Sequence, residues 1–195
     1  MKMFKIILCF FVVLIMTSCG KTEFMNMYSF TENYSRTSNS NLSLSDFYFQ
    51  SPGADVCTAV LGDEGDEVLL SLKIDVDQII NKVTISLIKQ ADKPTKSEQL
   101  DLFRKTLSNT LQAFCNYDND YINDILSAFS LKKDKTFTQT GELTLKKDNF
   151  YFVYYSTDII CQLMIYNTYL QKIEPTQKPV SKPYYAEDFI IKETP

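Results

Sequence analysis

Histidine and tryptophan are both missing from this chain of 195 residues. Without histidine the commonest general base and metal ligand is lost, and no Ser–His or Cys–His pair can form. Glycine is scarce too, with five in the whole chain, and no Gly-rich phosphate loop, GxSxG elbow or nucleotide fingerprint occurs. These absences exclude most hydrolase and nucleotide-binding classes, and we expect no catalytic residue, cofactor or metal ligand.

Positive charge is also in short supply. The chain has 20 Lys and Arg against 24 Asp and Glu, and its basic residues form no cluster interleaved with aromatic residues. Such a cluster is the electrostatic footprint of nucleic-acid binding, and a polybasic run marks binding to anionic membranes. We therefore expect neither nucleic acid as a partner nor a polybasic membrane patch.

The remaining composition is that of a folded protein. Hydrophobic residues make up 45% and charged residues 23%, and 14 Phe and 12 Tyr supply all the aromatic rings. A chain of this length has room for one compact core with extended ends.

The N-terminus begins with two lysines, Lys2 and Lys5, followed by the uncharged apolar run Ile6 to Met16. A helix needs roughly 20 apolar residues to span a bilayer, so this run of eleven is too short and is typical of a signal-peptide core. It predicts a signal peptide over residues 1–18.

The run ends in Met16, Thr17, Ser18 and Cys19, and this stretch resembles the lipobox of bacterial lipoproteins, with Met16 where the family most often has Leu. The resemblance implies diacylglyceryl transfer to the Cys19 thiol, cleavage just before it, and a lipid-anchored, palmitate-bearing protein outside the cytoplasm. Its location would be the cell membrane or the outer membrane. The alternative is a conventional cut near Ser18, with Cys19 as an incidental thiol.

Composition divides the rest of the chain into three parts. Residues 19–50 are rich in Ser, Thr and Asn, which predicts a flexible tether, although four aromatic residues leave open a short docking piece. Residues 51–173 are the predicted domain. Residues 174–195 are a Pro-spaced C-terminal tail.

Periodicity within the domain predicts three strands, two helices and three strands. Alternation of apolar and polar residues marks strands, and apolar steps of three and four mark helices. Thr95 and Glu98 make a capping-box signature at the first helix. The predicted fold class is α+β, with a mostly antiparallel sheet in the order β-β-β-α-α-β-β-β and a helical hairpin on one face. The predicted strands are 55–61, 67–76, 82–89, 141–147, 150–156 and 159–169, and the helices are 96–115 and 119–130.

The strands at 150–156 and 159–169 are apolar on both faces, so both faces need cover. Three interpretations remain open. The tail could return over the sheet through Tyr184, Tyr185 and Phe189 to Ile191; the face with Tyr151, Tyr155 and Tyr166 could bind a protein or glycan ligand; or the strands could be misplaced.

The remaining reactive groups favour ordinary structural roles. Cys57, Cys115 and Cys161 are either buried free thiols or include one disulfide, and no metal or catalytic spacing accompanies them. The acidic run at 62–67 predicts a hairpin turn instead of a calcium loop, and the run at 118–124 predicts a helix N-cap.

Three functions follow from this sequence. The preferred one is a lipid-anchored, non-catalytic binding or interaction module of the bacterial cell envelope or surface. The second is a carboxylate-based hydrolase of envelope glycans, which would need an acid pair some 5 to 10 Å apart in a cleft. The third is a structural subunit of an envelope complex.

Overall fold

A computed structural model of the chain describes residues 24–64, 67–89, 95–131 and 141–170. They form an antiparallel sheet of seven strands, in the order β1-β2-β3-β4-β7-β6-β5, together with three helices. The predicted α+β class is confirmed. The strands are β1 (Tyr48–Phe49), β2 (Val56–Leu61), β3 (Val68–Ile74), β4 (Ile80–Ile88), β5 (Gly141–Lys147), β6 (Phe150–Ser156) and β7 (Ile160–Asn167), and the helices are α1 (Met27–Ser38), α2 (Ser97–Cys115) and α3 (Asn119–Ala128).

The sheet joins two antiparallel units through the pairing of β4 with β7. Alternation along each strand places one set of apolar side chains on a common inner face, where Val83 lies opposite Ile165 and Ile165 opposite Phe152. These side chains are fully buried and form one core with the buried faces of all three helices. The helices therefore lie on the inner face, and the opposite side is called the outer face below.

The two predicted helices are present as α2 and α3. Helix α2 buries Phe103, Leu107 and Leu111, the apolar series that predicted it. Its capping box is wrong, because the helix begins one residue later, with Lys96 as N-cap and no side-chain cap hydrogen bond. The N-cap of α3 is Asp118, as predicted, and its carboxylate accepts the backbone N–H of Tyr121 at 2.9 Å.

The flexible tether predicted for residues 19–50 is wrong over its described part. Residues 27–38 form helix α1, capped by Asn26, whose side chain accepts the N–H of Ser29 at 2.8 Å. Met27, Phe30 and Tyr34 lie on one face of this helix and are buried in the core. The Ser- and Asn-rich composition conceals this face, because three apolar residues at helical spacing suffice to dock a short helix. The folded unit therefore begins well before residue 51, the predicted boundary.

Helix α1 contributes a full aromatic side chain to the core. The ring of Phe30 is completely buried, and its centroid lies 6.3 Å from that of Phe114 on α2 in an edge-on arrangement. Such pairs add to the free energy of burial. The predicted C-terminal tail, residues 174–195, lies outside the described residues, as do the signal peptide and Cys19.

Replacing Phe30 with alanine is expected to lower the free energy of unfolding by about 3 to 5 kcal/mol, because it leaves a cavity in the core. The matched control is Tyr28→Ala on the same helix, where the side chain is 63% exposed and the expected loss is below about 0.5 kcal/mol. Urea denaturation followed by circular dichroism measures both. Equal small losses would mean that α1 is not part of the folded unit.

Candidate binding surface on the outer face of the sheet

The three tyrosines that the sequence analysis named as a possible ligand-binding face all lie on the outer face. Strand parity places Tyr151 and Tyr155 there from β6, and Tyr166 from β7, and all three are half-buried. Tyr151 lies directly opposite Tyr166, with ring centroids 6.4 Å apart. Tyr155 lies opposite Gln162, four residues or roughly 13 Å further along the strand. The structure thus brings two of the tyrosines together and places the third apart on the same face.

A continuous row of side chains crosses the outer face at the tyrosine pair. In register across five strands it consists of Lys73 (β3), Lys82 (β4), Tyr166 (β7), Tyr151 (β6) and Lys146 (β5), and it is called the lysine–tyrosine row below. The ammonium of Lys82 lies 5.7 Å from the centroid of the Tyr166 ring, within cation–π range.

Lys82 sits in an unfavourable electrostatic position. Burial removes water from its ammonium and lowers its pKa, and the positive charge of Lys73 directly opposite lowers it further. Asp55 partly offsets this effect, but its carboxylate forms its ion pair with Lys73, at 3.1 Å. Like charges directly opposite each other on neighbouring strands destabilise a sheet. The row therefore presents a positive charge that an anionic group would stabilise.

The centre of the outer face is held by polar contacts across the strands. The hydroxyls of Thr58 and Ser71 lie 2.9 Å apart, and the amide of Gln162 donates to Ser86 at 3.0 Å. The Tyr166 hydroxyl lies 3.5 Å from the sulfur of Met164. These contacts fix side chains of neighbouring residues and strands relative to one another, so a ligand meets a preformed surface.

A cleft of about 950 Å³ opens at the end of the sheet beside Lys73. It lies between the loop after β1 and the turn between β3 and β4, and Phe49, Asp55, Asp75 and Val76 are among its lining residues. Asp55 is paired with Lys73, and Asp75 accepts the backbone N–H groups of residues 77 and 79 at 2.9 Å each. Both carboxylates are therefore engaged in structural contacts within the chain.

A lysine–serine contact that the sequence did not suggest lies at the other end of the sheet. The ammonium of Lys89 donates to the Ser156 hydroxyl at 3.1 Å and to the carbonyl of Thr157 at 2.8 Å. Ser156 is only 1% exposed, so a substrate cannot reach its hydroxyl. The contact ties the end of β4 to the β6–β7 turn, and no spacing in the sequence could reveal it because the two residues are 67 positions apart.

The three cysteines are free and buried. Cys57 on β2 and Cys161 on β7 both point into the core and are separated by three strand spacings, or at least about 14 Å, whereas a disulfide needs Cα atoms closer than about 7 Å. Burial raises the pKa of each of these thiols to about 11, and it also raises the pKa of Cys115. All three are therefore protonated and unreactive near neutral pH.

The remaining acidic runs offer no metal site in the described part of the chain. No group of three or more carboxylates or thiols is close enough there to hold an ion. None of the helices within residues 24–64, 67–89, 95–131 and 141–170 has the length and apolarity that a membrane span requires.

The position of Lys82 predicts a pH-dependent gain in stability from Lys82→Met. At pH 7 the substitution removes a desolvated charge that faces Lys73, so we expect the free energy of unfolding to rise by about 0.5 to 1 kcal/mol. Because its pKa is lowered in the folded state, Lys82 there loses its proton before the unfolded chain does. The free energy of unfolding of the wild type therefore increases relative to that of the variant as the pH rises towards 10.5.

Urea denaturation of wild type and variant at pH 7 and pH 10 measures this difference, in which groups common to both proteins cancel. Lys146→Met, at the exposed end of the same row, is the control for the loss of a lysine from an exposed position. If Lys82→Met raised the free energy of unfolding equally at both pH values, the effect would not come from the charge of Lys82, and the prediction would be wrong.

Comparison of the chain with protein-family models, with curated proteins and with solved structures found no match.

Proposed function

We propose that this chain is a lipid-anchored extracytoplasmic lipoprotein of bacteria that acts as a non-catalytic interaction module. Its binding surface is the lysine–tyrosine row, and its ligand is an envelope protein that presents a carboxylate beside an apolar patch. The proposal has two independent parts, the anchor at Cys19 and the surface on the sheet. Each is tested separately below.

The main support for the proposed binding surface is that Lys73 lies opposite Lys82, beside two contacting tyrosines. Two lysines in direct opposition weaken the isolated sheet. A carboxylate placed against the Lys82 ammonium, at the edge of the Tyr166 ring, would offset that repulsion with an ion pair partly shielded from water by the rings, and some close charge pairs of this kind contribute strongly at interfaces. Tyrosine and methionine are enriched in protein interfaces, and Tyr151, Tyr166 and Met164 form the adjoining patch.

The shape of the surface favours a protein over a glycan. The outer face extends across the strands of one sheet, and such an extended surface is typical of interfaces between two proteins. Small ligands usually occupy concave sites instead. The described cleft adjoins the row only at Lys73, and its two acidic groups already have partners, which weighs against the hydrolase alternative.

The anchor rests on the N-terminal sequence. The apolar run is too short to span a bilayer, and it ends at a cysteine behind Thr17 and Ser18. One acyl chain binds a membrane reversibly, whereas two or three chains hold a protein stably. A lipid-modified Cys19 would therefore keep the domain at the membrane.

Mass spectrometry of the protein purified from its own cells tests the anchor. The expected mature chain starts at Cys19 and carries a diacylglyceryl group, and the Cys19→Ser variant retains residues 1–18. A native chain that starts elsewhere, or that carries an unmodified Cys19, would remove the anchor from the proposal and leave the binding surface to its own test.

A photo-crosslinking residue tests the binding surface in intact cells. Placed at Tyr155, on the same face and roughly 13 Å from the row, it is expected to give a discrete adduct with one envelope protein. Placed at Tyr28 on helix α1, on the other side of the sheet, it should give none. Lys82→Glu and Tyr151→Ala should each reduce the adduct at Tyr155 by about tenfold, because each removes a central contact.

Three other outcomes would overturn the protein ligand. An adduct with a glycan would show that the surface binds a carbohydrate. An adduct with residues 184–191 of the same chain would show that the tail covers the surface. An adduct that Lys82→Glu leaves unchanged would place the binding site elsewhere. A variant lacking residues 174–195 that fails to fold would give the tail a structural role.

A further inference from the structure

The N-terminal end of the folded domain is fixed close to the predicted anchor. The carbonyl of Met25 accepts the N–H of Ile80 at 2.9 Å, and the N–H of Met27 donates to the carbonyl of Gln78 at 3.1 Å. Asn26 and Ile79 form an antiparallel bridge between these bonds. The chain is therefore attached to the start of β4 from Met25 onwards, and six peptide steps separate Met25 from Cys19.

The length of this connection limits how the domain can sit on a membrane. Six residues extend to at most about 22 Å, whereas the nine residues of β4 span about 30 Å. The tether is thus shorter than the sheet is long, so the domain cannot stand inverted, with the far end of the sheet on the bilayer and Met25 turned away from it. A flexible spacer of some thirty residues would have imposed no such limit.

Exposed apolar side chains occur at the end where the tether arrives. Val76 lies at the tip of the β3–β4 turn and is 98% exposed, and Phe49 is 46% exposed on the same cleft. Phe24, directly before the first fixed residue, is also exposed. The turn itself is held by Asp75, whose side chain accepts two backbone N–H groups, so the valine is presented on a firm loop.

We infer that this end of the domain, with Val76 and Phe49, rests against the phospholipid bilayer that holds the Cys19 lipid. The inference depends on the proposed anchor. Apolar side chains placed in the interfacial layer lose contact with water, and the short tether keeps them there by raising their local concentration at the surface. The sheet then stands on its end, with the lysine–tyrosine row as the part of the outer face nearest the membrane.

The orientation narrows the choice of partner. Lys73 and Lys82 lie within two residues of the membrane-facing ends of their strands. A ligand that reaches the row must itself lie close to the same bilayer, so the partner is a protein bound to or embedded in that membrane. A freely diffusing extracellular ligand would approach the opposite end more easily.

The lack of native tryptophan makes the orientation directly measurable. The full-length lipidated protein, with its lipid verified by mass, is placed in phosphatidylcholine–phosphatidylglycerol vesicles with brominated acyl chains, which quench indole emission on contact. Val76→Trp reports the proposed membrane end. Ile159→Trp is the matched control, because Ile159 is an exposed apolar residue in the turn at the opposite end. Thr144→Trp reports the outer face.

The expected result is a loss of emission and a blue shift for Val76→Trp, with no change for the other two. Inserting about 15 Gly and Ser residues after Thr22 should restore much of the emission, because the longer tether frees the domain. Equal quenching at all three positions, strongest quenching at Thr144→Trp, or quenching of Val76→Trp that the insertion leaves unchanged would each overturn the inference. If the purified full-length protein carries no lipid, the proposed anchor at Cys19 is contradicted, and not the orientation of the domain.

Discussion

The antiparallel pairing of β4 with β7 is the constraint on which the rest of the architecture depends. It joins strands that are more than 70 residues apart at their closest pair, and it requires the chain between them to cross the sheet. That connection contains α2 and α3, and their buried faces meet the inner side of both strand units. Because all of this cover lies on one side, the outer face keeps its mixture of tyrosine, lysine and methionine at the surface of the described structure.

Helix α1 completes the core and also sets the position of the N-terminus. Its first turn is attached to the β3–β4 turn, while Phe30 packs against the ring of Phe114 on α2. Helix α1 therefore both stabilises the core and fixes the point at which the N-terminal segment leaves the domain. A segment that composition assigned to a spacer becomes the part of the domain through which any anchor at Cys19 would act.

Much of the fold could be predicted from local pattern. Alternation at Leu70, Leu72 and Ile74 identified β3 and its buried face, and the apolar series in α2 identified the longest helix. Helix α1 was foreseen only as the alternative of a short docking piece, because its few buried residues lie in a polar segment, where average composition outweighs periodicity. The capping signal at Thr95 failed for a related reason, since a local hydrogen-bond motif does not decide where a packed helix begins.

The candidate site, like the fold, could be predicted from the sequence only in part. Strand parity alone placed Tyr151, Tyr155 and Tyr166 on one side of the sheet, because side chains alternate along a strand. The Lys73–Lys82 opposition could not be predicted, since it depends on the register between β3 and β4, and a shift of one residue would have moved it. The contact between Lys89 and Ser156 likewise depends on the pairing of β4 with β7.

The separate burial of the three thiols has a consequence for how such a chain would mature after export. Oxidising enzymes outside the cytoplasm act on whatever sulfur they can reach, and while the chain is unfolded Cys57, Cys115 and Cys161 are all within reach. Any bond between Cys57 and Cys161 would be incompatible with their distance in the finished sheet. Under the proposed export, correct maturation requires the core to bury the sulfur atoms before an oxidant joins the wrong pair.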